Sequence, residues 1–340
     1  MKLTIQDVAR LAGVGVGTVS RVLNNHPSVR PATRLKIEEA MRALDYVPNP
    51  HARRVAGGRS YTVSVLLPVV ATEFYTRLLD GMEATLAESR YDTALFPILN
   101  EERLVRYLSS NTLAFQADGV ILATHNLGEL YPNGRLPTQH PVALADAQSP
   151  NYDSSFLDNE MGGCIAGEFL SGFDGPIHGI FVREPLDRAF SSTVFADRMA
   201  GFQRAVEARG RTLGPERLHA VALNQDSART ALHRVLEAER GTPVNVFAAA
   251  DNLARGVLEE CAVLGLKPGL DVRVVGFDNH PWAADIGLTT IEQPVEAMGS
   301  AAARLLIRRL EGYSGPPESI RFEPRLIERA SARHAIKTTS

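Results

Sequence analysis

Over the first 46 residues, apolar positions recur at helical spacing in three short stretches. Thr4, with Asp7 three residues later, has the form of a capping box opening a helix from Ile5 to about Leu11. Ala12-Gly13-Val14 interrupts it, and Gly13 is free to take the positive φ of a sharp turn. A second stretch runs to about Asn24, with Val19, Val22 and Leu23 on one side and Val16, Gly17, Ser20, Arg21 and Asn24 on the other. The third begins near Pro31, a good first-turn residue, and is expected to bury Leu35, Ile37, Ala40, Met41 and Leu44. Two short helices about a glycine turn, with small Ala9 where they approach, predict a helix-turn-helix.

Val47-Pro48-Asn49-Pro50 breaks the third helix, and Asn49 can cap a short segment from Pro50 to Ala56 that Gly57-Gly58 ends. So short a helix is not stable alone in water. From Tyr61 onward, apolar runs alternate with helical patterns. Strands are expected at Thr62–Pro68, Thr93–Ile98, Gly119–Ala123, Val142–Ala145, Ile177–Val182, Leu218–Ala222, Val244–Ala248 and Val272–Phe277. Helices are expected at Tyr75–Ser89, Glu102–Phe115, Gly162–Phe173, Ala196–Ala208, Ala228–Glu239 and Asn252–Leu264. Continuously apolar strands between helices mean parallel sheets covered on both faces, and there are too many strands for one compact sheet. The predicted fold is an all-α helix-turn-helix head joined to an α/β body of two similar doubly wound parallel-sheet lobes.

Charge sharpens this division. Residues 1–60 hold ten Lys/Arg and four Asp/Glu, so the head carries +6 although the whole chain is −3. A small basic unit on an acidic body is the electrostatic footprint of a nucleic-acid binder. No apolar run is long enough to span a membrane and no secretory h-region follows Lys2, which predicts a cytoplasmic protein without membrane contact. Cys164 and Cys261 lie far apart and are expected to be buried thiols acting as small hydrophobes. The nine histidines sit at no ligand spacing and no GxSxG or phosphate-loop pattern occurs, so no metal, cofactor or catalytic residue is expected, and the protein is not read as an enzyme.

The run TIQDVARLAGVGVGTVSRVLNNHPSVRPATRLKIEEAMRALDYVPNPHARRVAGG resembles the head and hinge of the lactose/galactose repressor (LacI/GalR) family almost end to end. The resemblance implies base reading by Val16, Gly17 and Arg21. Arg21 can pair in bidentate fashion with guanine, Val16 can meet only an apolar group such as a thymine methyl, and Gly17 offers no side chain. Thr4, Thr18, Ser20, Asn24, Asn25 and Arg30 are then expected at the DNA, with phosphates the better partners of Thr18, Ser20, Asn24 and Asn25. Gly15 and Arg30 stand where the family usually has serine at a helix cap, and Arg30 is a poor cap. In the hinge the resemblance implies contacts from Asn49, Ala52 and Val55, with Val55 as the minor-groove wedge where relatives usually carry leucine.

The body resembles the same family, whose sensing domains share the fold of periplasmic sugar-binding proteins. The shared pieces include Phe74-Tyr75, Asp80-Gly81-Met82-Glu83, Leu157-Asp158-Asn159, Arg198 with Gly201-Phe202, Val275-Gly276-Phe277-Asp278 and Gln293-Pro294. They imply an effector site between the lobes built from Phe74, Tyr75, Asp146, Arg198, Asp251, Asp278 and Gln293. Asp251 serves equally as the cap of the following helix. Ala250 stands where the family has an asparagine that contacts ligand, which points to a less hydroxylated ligand, a different one, or none. Trp282, the only tryptophan, is expected in the cleft or at a dimer contact.

The domains expected are a head over residues 1–46, a hinge over 47–60, a first lobe over 61–158 and 288–320, and a second lobe over 159–287 and 321–335. The function expected is a dimeric transcription regulator of the repressor type on a pseudo-palindromic double-stranded DNA operator. A sugar-like small molecule in the cleft would gate it by changing the spacing of the hinge helices. The polar tail 331–340 has no leucine heptad, which favours a homodimer. One alternative is a catabolite-control regulator gated by a phosphorylated carrier protein. A solute-binding protein would share the body but needs neither the basic head nor a cytoplasmic address.

Overall fold

The computed structural model describes residues 3–23, 27–46, 59–68, 72–98, 100–108, 117–131, 133–183, 192–239 and 243–333. The chain divides into two compact units, a head up to Thr62 and a body comprising most of the rest.

The head is three helices, α1 (Ile5–Ala12), α2 (Val16–Leu23) and α3 (Pro31–Ala43). The Asp7 carboxylate accepts from the Thr4 backbone N–H at 3.0 Å and the Thr4 hydroxyl at 2.8 Å, which fixes the first turn of α1. Gly13 ends that helix in the left-handed region at φ 65. The core is Val8, Ala9, Val19, Val22, Ile37 and Ala40, with Met41 and Leu44 packed against it. Leu35 is exposed, contrary to expectation. The buried stripe of α3 runs 37, 40, 41, 44, and Leu35 lies two residues before it, about 200° around the helix from Ile37.

The body holds two six-stranded sheets. The first has the order β11-β5-β4-β3-β1-β2, built from β1 (Thr62–Pro68), β2 (Asp92–Ile98), β3 (Gly119–Ala123), β4 (Val142–Ala145), β5 (Asp153–Leu157) and β11 (Ser319–Phe322). The second has the order β12-β10-β9-β8-β6-β7, built from β6 (Ile177–Val182), β7 (Leu218–Val221), β8 (Val244–Ala248), β9 (Val272–Asp278), β10 (Thr289–Glu292) and β12 (Arg325–Ile327). Its edge strand β12 is antiparallel to β10, and the other pairings described for this sheet are parallel.

Helices follow the strands: α4 (Glu73–Leu86), α5 (Glu101–Leu108), α6 (Leu127–Leu130), α7 (Asn159–Ser171), α8 (Val194–Ala208), α9 (Gln225–Ala238), α10 (Asp251–Val263) and α11 (Val295–Leu310). In the second lobe the strand residues divide by parity. Val244, Val246, Ala248, Val272 and Val274 join α9 and α10 in one apolar cluster. Phe247 and Phe277 point the other way, into a ring cluster with Phe181 and Phe202 of α8. Both faces are covered, which is why these strands read as unbroken apolar runs.

Helix pairs in both lobes meet at glycines. A Cβ on Gly81 of α4 would lie 1.9 Å from the Glu296 carbonyl oxygen of α11, and one on Gly201 of α8 would lie 1.9 Å from that of Glu160 in α7. Among the described residues the first lobe thus has one helix pair packed backbone to backbone and the second has two, since a Cβ on Gly256 of α10 would likewise lie 2.5 Å from the Gln225 carbonyl oxygen of α9.

The body differs from the expected division at its later crossings. Thr289–Glu292 was expected in the first lobe but pairs as β10 with β9 of the second sheet. Arg321 and Phe322 were expected in the second lobe but pair, as part of β11, with β5 of the first. The chain returns to the first lobe at Gln293-Pro294, where Pro294 precedes α11.

Candidate effector site and DNA-reading surface

In the head, Val16, Gly17 and Arg21 are exposed along one side of α2, and Thr18 and Ser20 are half-buried beside them. The Gly15 carbonyl accepts the amides of Thr18 and Val19, so Gly15 occupies the cap of α2. Arg30 holds the corresponding place before α3, without a side-chain cap, and is exposed. Thr4 is exposed, with its hydroxyl engaged by Asp7. Asn24, Asn25, Asn49, Ala52 and Val55 lie outside the described residues.

In the body, a cavity of about 370 Å³ opens between the lobes. Five of the seven residues expected there line it: Phe74, Tyr75, Asp146, Arg198 and Asp278. Two of them, Asp146 and Asp278, share with Thr124 a common cause of placement. Thr124 follows β3, Asp146 follows β4 and Asp278 ends β9, and all three have positive φ, at 55, 53 and 121. Non-glycine residues rarely adopt this backbone, which costs free energy that the surrounding fold must offset. It turns three polar side chains into the cleft at the carboxyl ends of parallel strands.

Arg198 is buried and fully oriented. Its Nε donates to Asn159 Oδ1 at 2.9 Å, its Nη1 donates to the Ala249 carbonyl at 2.6 Å, and Nη1 is 3.7 Å from Asp278 Oδ1. Burial depresses the guanidinium pKa, and Asp278 and Asp146 act against that. Asp146 accepts from the Thr124 hydroxyl at 2.9 Å. Burial pushes its carboxyl up to about 7, with Arg198 and Thr124 holding it down and Asp278 adding to the rise. Burial likewise raises the Tyr75 phenol, which is hydrogen-bonded with Thr124. Phe74 and Tyr75 meet edge to face with ring centroids 5.1 Å apart, and form an aromatic wall.

The other two expected contacts do not line the cavity. Asp251 opens α10 as its first residue but does not cap it: it is buried behind the wall, where its Oδ1 accepts from Thr290 Oγ1 at 2.6 Å and its Oδ2 from the His280 backbone N–H at 2.9 Å. Burial and nearby Asp278 hold its pKa well above the ordinary value. Gln293 is fully buried and donates its side-chain amide to Asp278 Oδ1. It positions Asp278 from behind. Sequence reasoning missed Thr124, Phe195, Asn252 and His280, which also line the cavity, as does Ala250. His280 stands two residues after Asp278 and Phe195 three before Arg198, so proximity to those two was the available signal.

Trp282 is not among the lining residues. Its indole N–H donates to Glu73 Oε2 of the other lobe at 2.6 Å. The thiols also differ from expectation: Cys261 is buried, but Cys164 is half-buried, with Arg204 Nη2 3.1 Å from its Sγ. Cys164 lies on α7 near the exposed Arg204 of α8, which is why it is not sealed. Among the described residues no group of three His, Cys, Asp or Glu could hold a metal ion, and no helix is long and apolar enough to cross a membrane.

Residues 4–49 match the family of bacterial regulatory proteins, lacI family, and residues 181–332 match a periplasmic binding protein-like domain. Catabolite control protein A of Priestia megaterium is 30% identical over 98% of this chain and 100% of its own. The chain belongs to the lacI family of bacterial regulatory proteins. Among solved structures, a probable transcription regulator from Thermus thermophilus is 53% identical, with a TM-score of 0.71 over 80% of this chain and 98% of that one. A complex of the transcriptional regulator CelR with cellobiose is 27% identical, with a TM-score of 0.67 over 97% and 100%. The protein is therefore a DNA-binding transcription regulator, and its relatives are regulators rather than enzymes.

Proposed function

We propose that this regulator binds a pseudo-palindromic operator as a homodimer and is gated by a sugar-like small molecule in the cleft between its lobes. The observation that carries the proposal is the cavity itself, where Asp146, Arg198 and Asp278 converge against Phe74, Tyr75 and Phe195. Buried carboxylates and a guanidinium suit hydroxyl groups, and aromatic faces suit the apolar side of a sugar ring. Its volume lies in the range of small-molecule sites. That CelR has been captured in complex with cellobiose supports a sugar-like ligand here. Arg21 supplies the strongest polar base contact, Thr18, Ser20, Asn24, Asn25 and Arg30 accompany it, and the hinge around Asn49, Ala52 and Val55 completes the interface.

The reading is tested by footprinting the purified full chain on fragments of its own genome, with and without a saccharide panel that includes ribose and cellobiose. Two symmetric protected half-sites, and a change in protection with one panel member, are expected. Equal affinity for operator and random DNA would defeat the DNA half of the proposal, and no response to any saccharide the sugar half.

Ala250 in the cavity wall favours a second reading, in which a phosphorylated carrier protein replaces the small molecule. Retention of such a carrier on the immobilised regulator, only when phosphorylated, distinguishes the two.

A further inference from the structure

His280 lies in the cavity wall and is almost completely buried. Its Nε2 is 3.6 Å from Asp278 Oδ2, and its Nδ1 is 3.9 Å from Glu73 Oε2. Nδ1 has no hydrogen-bond partner among the described residues. The ring packs against Trp282, with centroids 5.6 Å apart. Its backbone is fixed, because the amide donates to Asp251 Oδ2 and Pro281 follows.

A neutral imidazole has one N–H to donate. Here two carboxylates face its two nitrogens, one from the cavity and one from the other lobe, each just beyond hydrogen-bond length. Glu73 Oε2 is also the atom that accepts the Trp282 indole N–H across the lobes. In a neutral ring, loss of the acceptor that faces one nitrogen favours the proton on the other, and here Nδ1–H would face Glu73 Oε2, the atom that Trp282 uses.

We infer that His280 transmits occupancy of the cleft to the Glu73–Trp282 contact between the lobes. The inference rests on the cleft being the effector site. It adds a positioning residue that senses Asp278 on one side and the interlobe contact on the other. The expected trigger is a ligand that offers a hydrogen-bond donor, a hydroxyl or an ammonium, to Asp278.

Trp282 is the sole tryptophan of the chain, so its fluorescence reports this contact without a label. The experiment is a double-mutant cycle on the full chain, with acrylamide quenching of Trp282 as the readout. Asp278→Asn removes the anionic acceptor that faces Nε2, as a donor occupying Asp278 would withdraw it from His280. It is expected to change the quenching constant by about 1.5-fold or more in the wild-type background and by less than about 1.2-fold with His280→Phe. His280→Gln is the second background, should the phenylalanine not pack, and the melting temperature of every variant verifies folding. An equal change in the presence and absence of His280, or no change in either, overturns the inference. Because no ligand is used, this outcome is independent of whether ribose or cellobiose binds. With those two sugars as probes, a response of Trp282 in wild type that is lost in His280→Phe supports the inference. A response equal in both overturns it.

Discussion

The guanidinium of Arg198 lies 3.6 Å from the centroid of the Phe277 ring while donating to Asn159 and to the Ala249 carbonyl. Only a planar group with several fixed donors can stack and donate in two directions at once. Arg198→Lys keeps the charge and loses this geometry. It is expected to weaken effector binding about ten-fold or more and to destabilise the body by roughly 1–3 kcal/mol. Calorimetric titration and thermal melts check this, and an unchanged affinity would remove Arg198 from the site.

The carboxyl of Asp146 titrates at about 7 in the folded protein, against 3.8 for an ordinary aspartate. Between these values the folded chain holds a proton that the unfolded chain has released. Stability contributed by this group is therefore highest below about pH 4 and falls as pH rises toward 7, by up to a few kcal/mol, roughly. Asp146→Asn removes that slope, so the variant's melting temperature should gain on wild type from pH 5 to pH 8. Parallel curves would show that the buried carboxyl is not the source. Asp251, raised in the same direction, remains in both proteins.

Ala250 is the N-cap of α10 and makes no side-chain cap. Ala250→Asn supplies one, worth about 1 kcal/mol, and places a donor and an acceptor in the cavity wall. A higher melting temperature without ligand, and a preference shifted toward more hydroxylated sugars, are expected. A destabilised variant would mean that the wall has no room for the amide.

Arg21→Ala should cost about 1–3 kcal/mol at a guanine position of the operator and leave the melting temperature of the body unchanged. Competition between operator and mismatched operator is the measurement. Uniform weakening on all DNA would reassign Arg21 to a phosphate contact.

The sequence made the head and most body strands legible because their buried residues are apolar and regularly spaced. It concealed β5, whose buried residues are Asp153, Ser154 and Ser155, with Leu157 the one apolar residue among them. That strand is held by polar means: Arg309 donates to both Asp153 oxygens at 2.6 and 2.9 Å, and Ser155 Oγ donates to the Met298 carbonyl. Several body helices also begin earlier than expected, at Glu73, Asn159, Val194 and Gln225. At Glu73, Asn159 and Gln225 the helix opens on a polar residue outside the apolar stripe that periodicity detects. Of the five cleft residues, Asp146 and Asp278 were legible because they follow or end strands, and Phe74, Tyr75 and Arg198, which lie near the starts of helices, because of the family resemblance alone. Asp251 and Gln293 looked equivalent to them in sequence, and only packing shows that both support the wall from behind.

The last two strands of the chain complete different sheets, β11 the first and β12 the second. Neither lobe is a contiguous stretch of sequence: the first lacks a strand until residue 322 is available, and the second until residue 327. The three-helix head ends near residue 46, so the ribosome makes about 280 further residues after it. At roughly 5–20 residues per second, the DNA-reading unit leads the completed sensor by some tens of seconds. A prematurely terminated chain would therefore carry a folded head with no working body to govern it.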